Sequence, residues 1–328
     1  GICGEFKFKN YSFNEKKLTN LIKSISNRGR DSHGTFRDED IFLGHHRLSI
    51  IDISTRSNQP MKIGNYIIIF NGVIYNYTDL RNKLISKGHS FNSSGDTEVI
   101  IKMYIEYGDT CVTHLDGVFS FCIYDTNKKS IFLARDRFGI KPLYYYIEKK
   151  HIIFSSSLKG ILNYKDTKEI NPIALNYQFT LHSVVPAPHT IISGINKLQP
   201  GCTMNISKSG KSYIKKYFDI EKVEISDLSD DDIIENSKFL LDEAIKKRLN
   251  TADVPVGLLL SGGLDSSLIT AISAKYKEKI STYSIGFNTI KEEIGNEFYY
   301  SDLVAKHFRT EHEKYNISND ELYNNLDK

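Results

Sequence analysis

Short apolar runs dominate the first two hundred residues, and longer helical spacings take over after them. The runs predict strands over 2–8, 41–51, 66–71, 119–125, 130–136, 143–147 and 152–156. Asp125-Thr126-Asn127-Lys128 has the composition of a hairpin turn between two of these. Leu18, Leu21, Ile22 and Ile25 recur at helical spacing, and Asn27 and Gly29 end that helix. Two more helices are predicted over 79–87 and 96–107, stopped by Gly88 and Gly108. Strands in hairpins with helices in groups predict helices layered on antiparallel sheet. Further on, Leu240, Leu241, Ala244 and Ile245 mark a helix over 233–249. An uncharged run, 256–260, predicts a buried central parallel strand. Strand 280–287 and helix 297–307 follow, the helix with Leu303 and Val304 on its apolar face.

The run at 256–260 leads into Leu260-Ser261-Gly262-Gly263-Leu264-Asp265-Ser266-Ser267, and then into Leu268, Ile269, Ala271 and Ile272 at helical spacing. A strand, a glycine turn and a helix N-terminus in succession make an anion site. The glycines let the backbone bend and let the anion approach, and the first helical turn aims free N–H groups at it. The serines add hydroxyl donors, and Asp265 could brace the loop or help hold a divalent cation. The Gly-Lys-Ser/Thr ending of a Walker loop is absent. A plain strand-to-helix turn is the competing reading, and the strand, serines and aspartate together weigh against it.

Four polar clusters fall where predicted elements of the first part end. They are Arg28-Gly29-Arg30-Asp31-Ser32-His33-Gly34, Gly44-His45-His46-Arg47-Leu48-Ser49-Ile50-Ile51-Asp52, Phe70-Asn71-Gly72-Val73-Ile74-Tyr75-Asn76 and Ser94-Gly95-Asp96-Thr97-Glu98. Each has an ordinary structural explanation when taken singly. Asn71-Gly72 suits a turn, Asp96 suits a helix cap, and His45 and His46 suit structural hydrogen bonds.

In this order, and with Asp136-Arg137-Phe138-Gly139-Ile140-Lys141-Pro142-Leu143-Tyr144-Tyr145, the clusters resemble the glutaminase domain of class II glutamine amidotransferases. The loop at 261–266 resembles the pyrophosphate loop of ATP pyrophosphatases. Together the two resemble the glutamine-hydrolysing asparagine synthetase family. The resemblance implies an α+β N-terminal-nucleophile αββα sandwich over 1–208. It implies the start of an α/β doubly wound domain, of the adenine nucleotide α-hydrolase kind, over 225–328. It also implies ATP and Mg²⁺ as cofactors and glutamine and aspartate as substrates, and a homodimer is compatible with it.

Residue roles follow from the same resemblance. Arg47 would bind the glutamine carboxylate, and Leu48, Ser49, Ile50 and Ile51 would line the pocket. Asp96 would take the ammonium, and the Asn71 side chain with the Gly72 N–H would form the oxyanion hole. Leu260, Ser261, Gly262, Gly263, Asp265, Ser266 and Ile285 would hold ATP and its pyrophosphate, with Asp265 on Mg²⁺. Val73 stands where the family has Glu, which removes one partner of the ammonium. The family opens Cys-Gly-Ile-x-Gly, so Gly1-Ile2-Cys3-Gly4 places the nucleophile just ahead of Gly1 and makes Cys3 the variable residue. The expectation is a fragment lacking Met-Cys at its start and the later part of the synthetase domain at its end. Two other readings stay open. One is a relative that amidates or cyclises a different carboxylate, with or without glutaminase activity. The other is a degenerate, non-enzymatic binding protein.

Composition changes this picture little. The 328 residues include 40% hydrophobic and 25% charged ones, as in ordinary globular proteins. A net charge of +3 points to no nucleic-acid or membrane partner. No apolar stretch is long enough to span a bilayer, and no secretory signal is read ahead of the first strand. Cys3, Cys111, Cys122 and Cys202 lack metal-binding spacing, so reduced thiols and a cytoplasmic setting are expected.

Overall fold

The unbroken apolar runs of the first part are strands buried on both faces. The chain, seen in a computed structural model, is described over residues 1–9, 11–220, 228–287 and 297–325. It divides into two units, Gly1–Lys222 and Val223–Lys328. The first contains β1 (Ile2–Lys7), α1 (Glu15–Lys23), β2 (Ser32–Arg37), β3 (Ile41–Arg47), β4 (Met61–Ile63), β5 (Tyr66–Ile74), α2 (Tyr77–Ser86) and α3 (Asp96–Tyr107). Then come β6 (Gly117–Asp125), β7 (Ser130–Arg135), β8 (Tyr144–Ile147), β9 (His151–Ser155), α4 (Leu158–Ile161), α5 (Pro172–Thr180), β10 (Asn196–Lys197), β11 (Cys202–Ser207) and β12 (Ser212–Lys216).

These strands form two six-stranded sheets, in the orders β10-β8-β9-β1-β3-β2 and β12-β11-β7-β6-β5-β4. Their inner faces meet through Phe6, Leu43, Ile67, Ile69, Leu133, Phe154 and Met204. On the outside, α2 and α3 pack Leu84, Val99 and Met103 against Ile68, Phe70 and Phe121. On the opposite outer face, α1 and α4 pack Leu21 and Ile161 against Phe42 and Ile153. The layers are therefore helix, sheet, sheet, helix, as expected. β5 shows why its alternation is hidden: Ile67 and Ile69 face the other sheet, whereas Ile68 and Phe70 face the helices.

Several predicted boundaries move. The strand expected over 41–51 ends at Arg47, because Asp52 gathers the following residues into a loop. Its carboxylate accepts from Ser54 N–H at 3.1 Å, from the Ser54 and Ser57 hydroxyls at 2.6 and 2.8 Å, and from Ser94 N–H at 2.8 Å. The strand expected over 66–71 runs on to Ile74, so Asn71-Gly72 lies inside a strand and not in a turn. β6 pairs with that extension, Asn71 opposite Ser120 and Gly72 opposite Phe119. β12 pairs with β11, which carries the first unit past residue 208.

The second unit contains α6 (Asp230–Thr251), β13 (Gly257–Leu259), α7 (Leu264–Ser273), β14 (Ser281–Phe287), α8 (Phe298–Phe308), β15 (Glu311–Ile317) and α9 (Asn319–Asn324). Its parallel sheet has the order β13-β14-β15. β13 is thus an edge strand among the described residues, and not the buried central strand its composition predicts. Leu259 is 75% exposed. Of the periodic residues of α6, Ile245 and Leu249 are buried against Ile272, whereas Leu240 and Leu241 are exposed.

Candidate active sites

The first site is a cleft of about 270 Å³ at one end of the sandwich. Gly1 of β1, His45 and Arg47 of β3, Asn71, Gly72 and Val73 of β5, and Asp96 of α3 line it, together with Leu48, Ile50 and Ile51 of the loop after β3. Eight of the nine residues expected to bind glutamine therefore converge here. Ser49 is the exception, since its N–H turns to Asp31 Oδ2 at 2.6 Å. Leu48 sits at the mouth and is largely exposed.

β5 forms one wall of the cleft through Phe70, Asn71, Gly72 and Val73. Beyond Ile68 its outer edge has no partner strand, because β4 stops there. The amides on that edge are met by side chains instead. Phe70 N–H donates to Gln59 Oε1 at 2.6 Å, and Ile74 N–H donates to Asp96 Oδ2 at 3.1 Å. Gly72 lies midway, and the two-residue period turns its N–H to the same edge. The neighbouring Asn71 Nδ2 is buried and has no hydrogen-bond partner among the described residues. A buried unmet donor beside an edge amide is the arrangement an oxyanion needs. Gly72 admits no side chain, because a Cβ would lie 2.2 Å from Val118 O.

The two charged ends of the cleft differ. Arg47 Nη1 donates to Ser54 O and to Asn58 Oδ1, both at 2.8 Å, and Nη2 donates to Ile51 O at 3.3 Å and to Asp52 O. Its guanidinium is thus fixed by the loop it helps to fold. Asp96 is buried at the start of α3. Burial pushes its carboxyl up to about 7, against the lowering effects of backbone amides and of Arg47. Val73 adds no charge to that end. Cys3 does not line the cleft. It is fully buried among Leu18, Leu21 and Ile153, and burial raises its thiol far above the ordinary range.

The sequence reading missed Gln59, Thr97 and Lys141, which also line the cleft, and it took His45 as structural. Gln59 bridges β5 and α3 through Nε2 to Thr97 Oγ1 at 3.0 Å. Lys141 is carried on a loop tied by Asp136, which accepts from the N–H groups of Phe138, Ile140 and Lys141 at 2.9–3.1 Å. The segment 136–145 carries the sequence signal for both Asp136 and Lys141.

The second site is a cleft of about 300 Å³ in the second unit, at the carboxyl ends of β13 and β14. Leu260, Ser261, Ser266 and Ile285 line it, with Tyr283, Ser284, Glu297 and Phe298. Gly262 and Gly263 lie on the adjoining loop and Asp265 in the first turn of α7, and none of the three lines the cleft. Gly262 has φ +86°, a conformation that favours glycine. A Cβ there would lie 2.5 Å from the Tyr300 backbone. Ser266 Oγ holds the bend by accepting from Ser261 N–H at 3.3 Å, and Ser261 Oγ accepts from Gly263 N–H at 3.2 Å. Among the described residues no side chain caps α7, which leaves its first-turn amides to be met by water or an anion. No group of three His, Cys, Asp or Glu side chains among the described residues could hold a metal.

A glutamine amidotransferase domain profile matches residues 1–218, and an asparagine synthase profile matches 237–328. The chain belongs to the glutamine-hydrolysing asparagine synthetase family. Asparagine synthetase [glutamine-hydrolyzing] 3 of Bacillus subtilis is 35% identical over all of this chain and 56% of its own length. A putative asparagine synthetase [glutamine-hydrolyzing] 2 of Methanocaldococcus jannaschii is 36% identical, over all of this chain and 67% of its own. The chain thus spans a little over half to two thirds of these relatives. A glutamine phosphoribosylpyrophosphate amidotransferase structure from B. subtilis overlaps 95% of the chain and 65% of its own at 13% identity, with a TM-score of 0.49, too loose to bear on the argument. Among the described residues, no helix is long and apolar enough to cross a membrane.

Proposed function

We propose that this chain carries the ammonia-releasing part and the beginning of the carboxylate-activating part of an ATP-dependent asparagine synthetase. The observation that carries the reading is the unmet Asn71 Nδ2 beside the Gly72 edge amide, in one cleft with Arg47 and Asp96. Glutamine would lie with its α-carboxylate toward Arg47, its ammonium toward Asp96 and its side-chain carbonyl on the two donors. Attack on that carbonyl puts negative charge on its oxygen, and two pre-aimed donors stabilise it as it forms. Gly1 lines the cleft, so a Cys joined to its nitrogen would bring a thiol to the carbonyl, with its own amine as base.

In the second unit, ATP would lie with adenosine against Leu260 and Ile285 and its phosphates over the bend at 261–266. The open amides of α7 would receive the departing pyrophosphate. Mg²⁺ would enter with the nucleotide, held by Asp265, and offset phosphate charge. Aspartate's carboxylate is a poor electrophile, and adenylation gives it AMP as a leaving group for ammonia to displace. Dependence on ATP and free amino acids supports a cytoplasmic setting.

The test is isotope tracing with the reading frame that contains this chain. Glutamine labelled with ¹⁵N at the amide, ATP, Mg²⁺ and aspartate should give ¹⁵N-asparagine together with AMP and pyrophosphate. Formation of ADP, or no product from aspartate, sinks the proposal. Val73 favours one variant reading, in which the same ligase draws mainly on free ammonia. Unlabelled ammonium outcompeting labelled glutamine at equal concentration would establish it.

A further inference from the structure

Two buried side-chain atoms in the first unit lack a hydrogen-bond partner among the described residues: Asn71 Nδ2 and His45 Nδ1. Both residues line the same cleft. The first is explained by the proposed oxyanion site. The second is not, and a buried polar atom left unmet costs free energy unless a ligand supplies its partner.

The chemistry of His45 Nδ1 is fixed by the other ring nitrogen. Nε2 lies 3.1 Å from Phe70 O, and a carbonyl oxygen only accepts, so Nε2 carries the hydrogen. The ring is also neutral. Burial, with Arg47 and His46, drives its pKa well below the ordinary range, although the bond to Phe70 works the other way. Nδ1 therefore presents a bare lone pair and can only accept. The residues lining the cleft thus bring to it two donors, Asn71 Nδ2 and the Gly72 N–H, and one unmet acceptor, His45 Nδ1. A primary carboxamide is their complement. Its oxygen takes the two donors, and its NH₂ group has a hydrogen for the acceptor. A carboxylate fits the donors equally well but turns a second lone pair toward Nδ1.

We infer that His45 Nδ1 receives an N–H of the donor's carboxamide, so that His45 is the residue by which this site distinguishes an amide from the corresponding acid. The inference rests on the glutamine reading of the cleft. His45 is a specificity and positioning residue in this account, since it gains or loses no covalent bond. It favours the substrate over the hydrolysed product, and it assists product release, because glutamate leaves Nδ1 unmet again.

Binding needs no nucleophile, so the test can use the chain itself, titrated calorimetrically with glutamine and with glutamate at pH 7. The chain should bind glutamine about ten- to a hundredfold more tightly than glutamate, the range of one unmet buried polar contact. His45→Phe should bring the two affinities within about threefold of each other, mainly by weakening glutamine. His45→Asn, whose side-chain oxygen can approach the Nδ1 position, should restore part of the preference. A folded His45→Phe chain that keeps the original preference overturns the inference. Should that variant fail to fold, the ¹⁵N resonance of His45 Nδ1 in the unaltered chain decides. It should move on adding glutamine and stay in place on adding glutamate, and no movement with bound glutamine overturns the inference. If the unaltered chain binds neither ligand, the glutamine reading itself has failed, a distinct outcome that removes the inference with it.

Discussion

Replacing Asp96 by asparagine should make the first unit less sensitive to alkaline pH while weakening its hold on glutamine. Asp96 is 5% exposed, and its Oδ2 accepts from the Ile74 N–H at 3.1 Å. Burial raises its carboxyl from the ordinary 3.8 to about 7, despite the amides and Arg47. The folded chain then holds this proton more tightly than the unfolded chain. Its contribution to stability is present below about pH 4 and is lost as pH rises through about 7. At about 1.4 kcal/mol per pH unit, the ionised carboxylate costs the fold on the order of 4 kcal/mol at pH 8. Asparagine never ionises. It keeps one oxygen for the Ile74 amide and leaves other amides short of an acceptor, a fixed loss of about 1–3 kcal/mol. Urea unfolding of both chains from pH 4.5 to 8 isolates the effect, because every other titrating group cancels in the difference. That difference should move in favour of Asp96→Asn by about 2–4 kcal/mol between the two limits. Glutamine affinity should fall by about tenfold or more, the worth of a charged hydrogen bond. Parallel stability profiles would refute the reasoning, since they would mean that the buried carboxylate ionises at its ordinary pH.

Three further outcomes are expected. Val73→Glu should tighten glutamine binding by about tenfold above pH 7 by calorimetry, because a second carboxylate then faces the ammonium; unchanged affinity would place the ammonium elsewhere. Asn71→Leu should leave stability unchanged or raise it by about 1 kcal/mol in urea unfolding, since it removes an unmet buried donor, yet lower glutamine hydrolysis by about a hundredfold or more. Gly262→Ala should destabilise the second unit by about 2–5 kcal/mol, combining positive-φ strain with a contact against the Tyr300 backbone, and abolish pyrophosphate protection of the loop in hydrogen exchange; a stable variant that retains that protection would contradict the described bend.

The parts of the fold that were legible in the sequence are those whose signal is local. Runs such as Ile67–Phe70 announce strands because both faces are buried, and Leu18, Leu21 and Ile25 mark a helix with one apolar side. β15 was missed because Glu311-His312-Glu313-Lys314 carries no such signal, and its pairing with β14 supplies the order. The loop after β3 was read as strand because Leu48, Ile50 and Ile51 are apolar. What bends it is Asp52, whose bond to Ser94 spans 42 residues. The site divides in the same way. Asn71, Gly72, Arg47 and Asp96 stand in motifs that can be read directly. His45 gains its meaning only from Phe70 O across the sandwich, a contact 25 residues away that spacing cannot reveal.

The most direct measurement is a crystal structure of this chain with glutamine bound. The account predicts the side-chain carbonyl within hydrogen-bond distance of Asn71 Nδ2 and the Gly72 N–H, with the α-carbon end between Arg47 and Asp96. Glutamine seated the other way round, or absent from the cleft at saturating concentration, would contradict it.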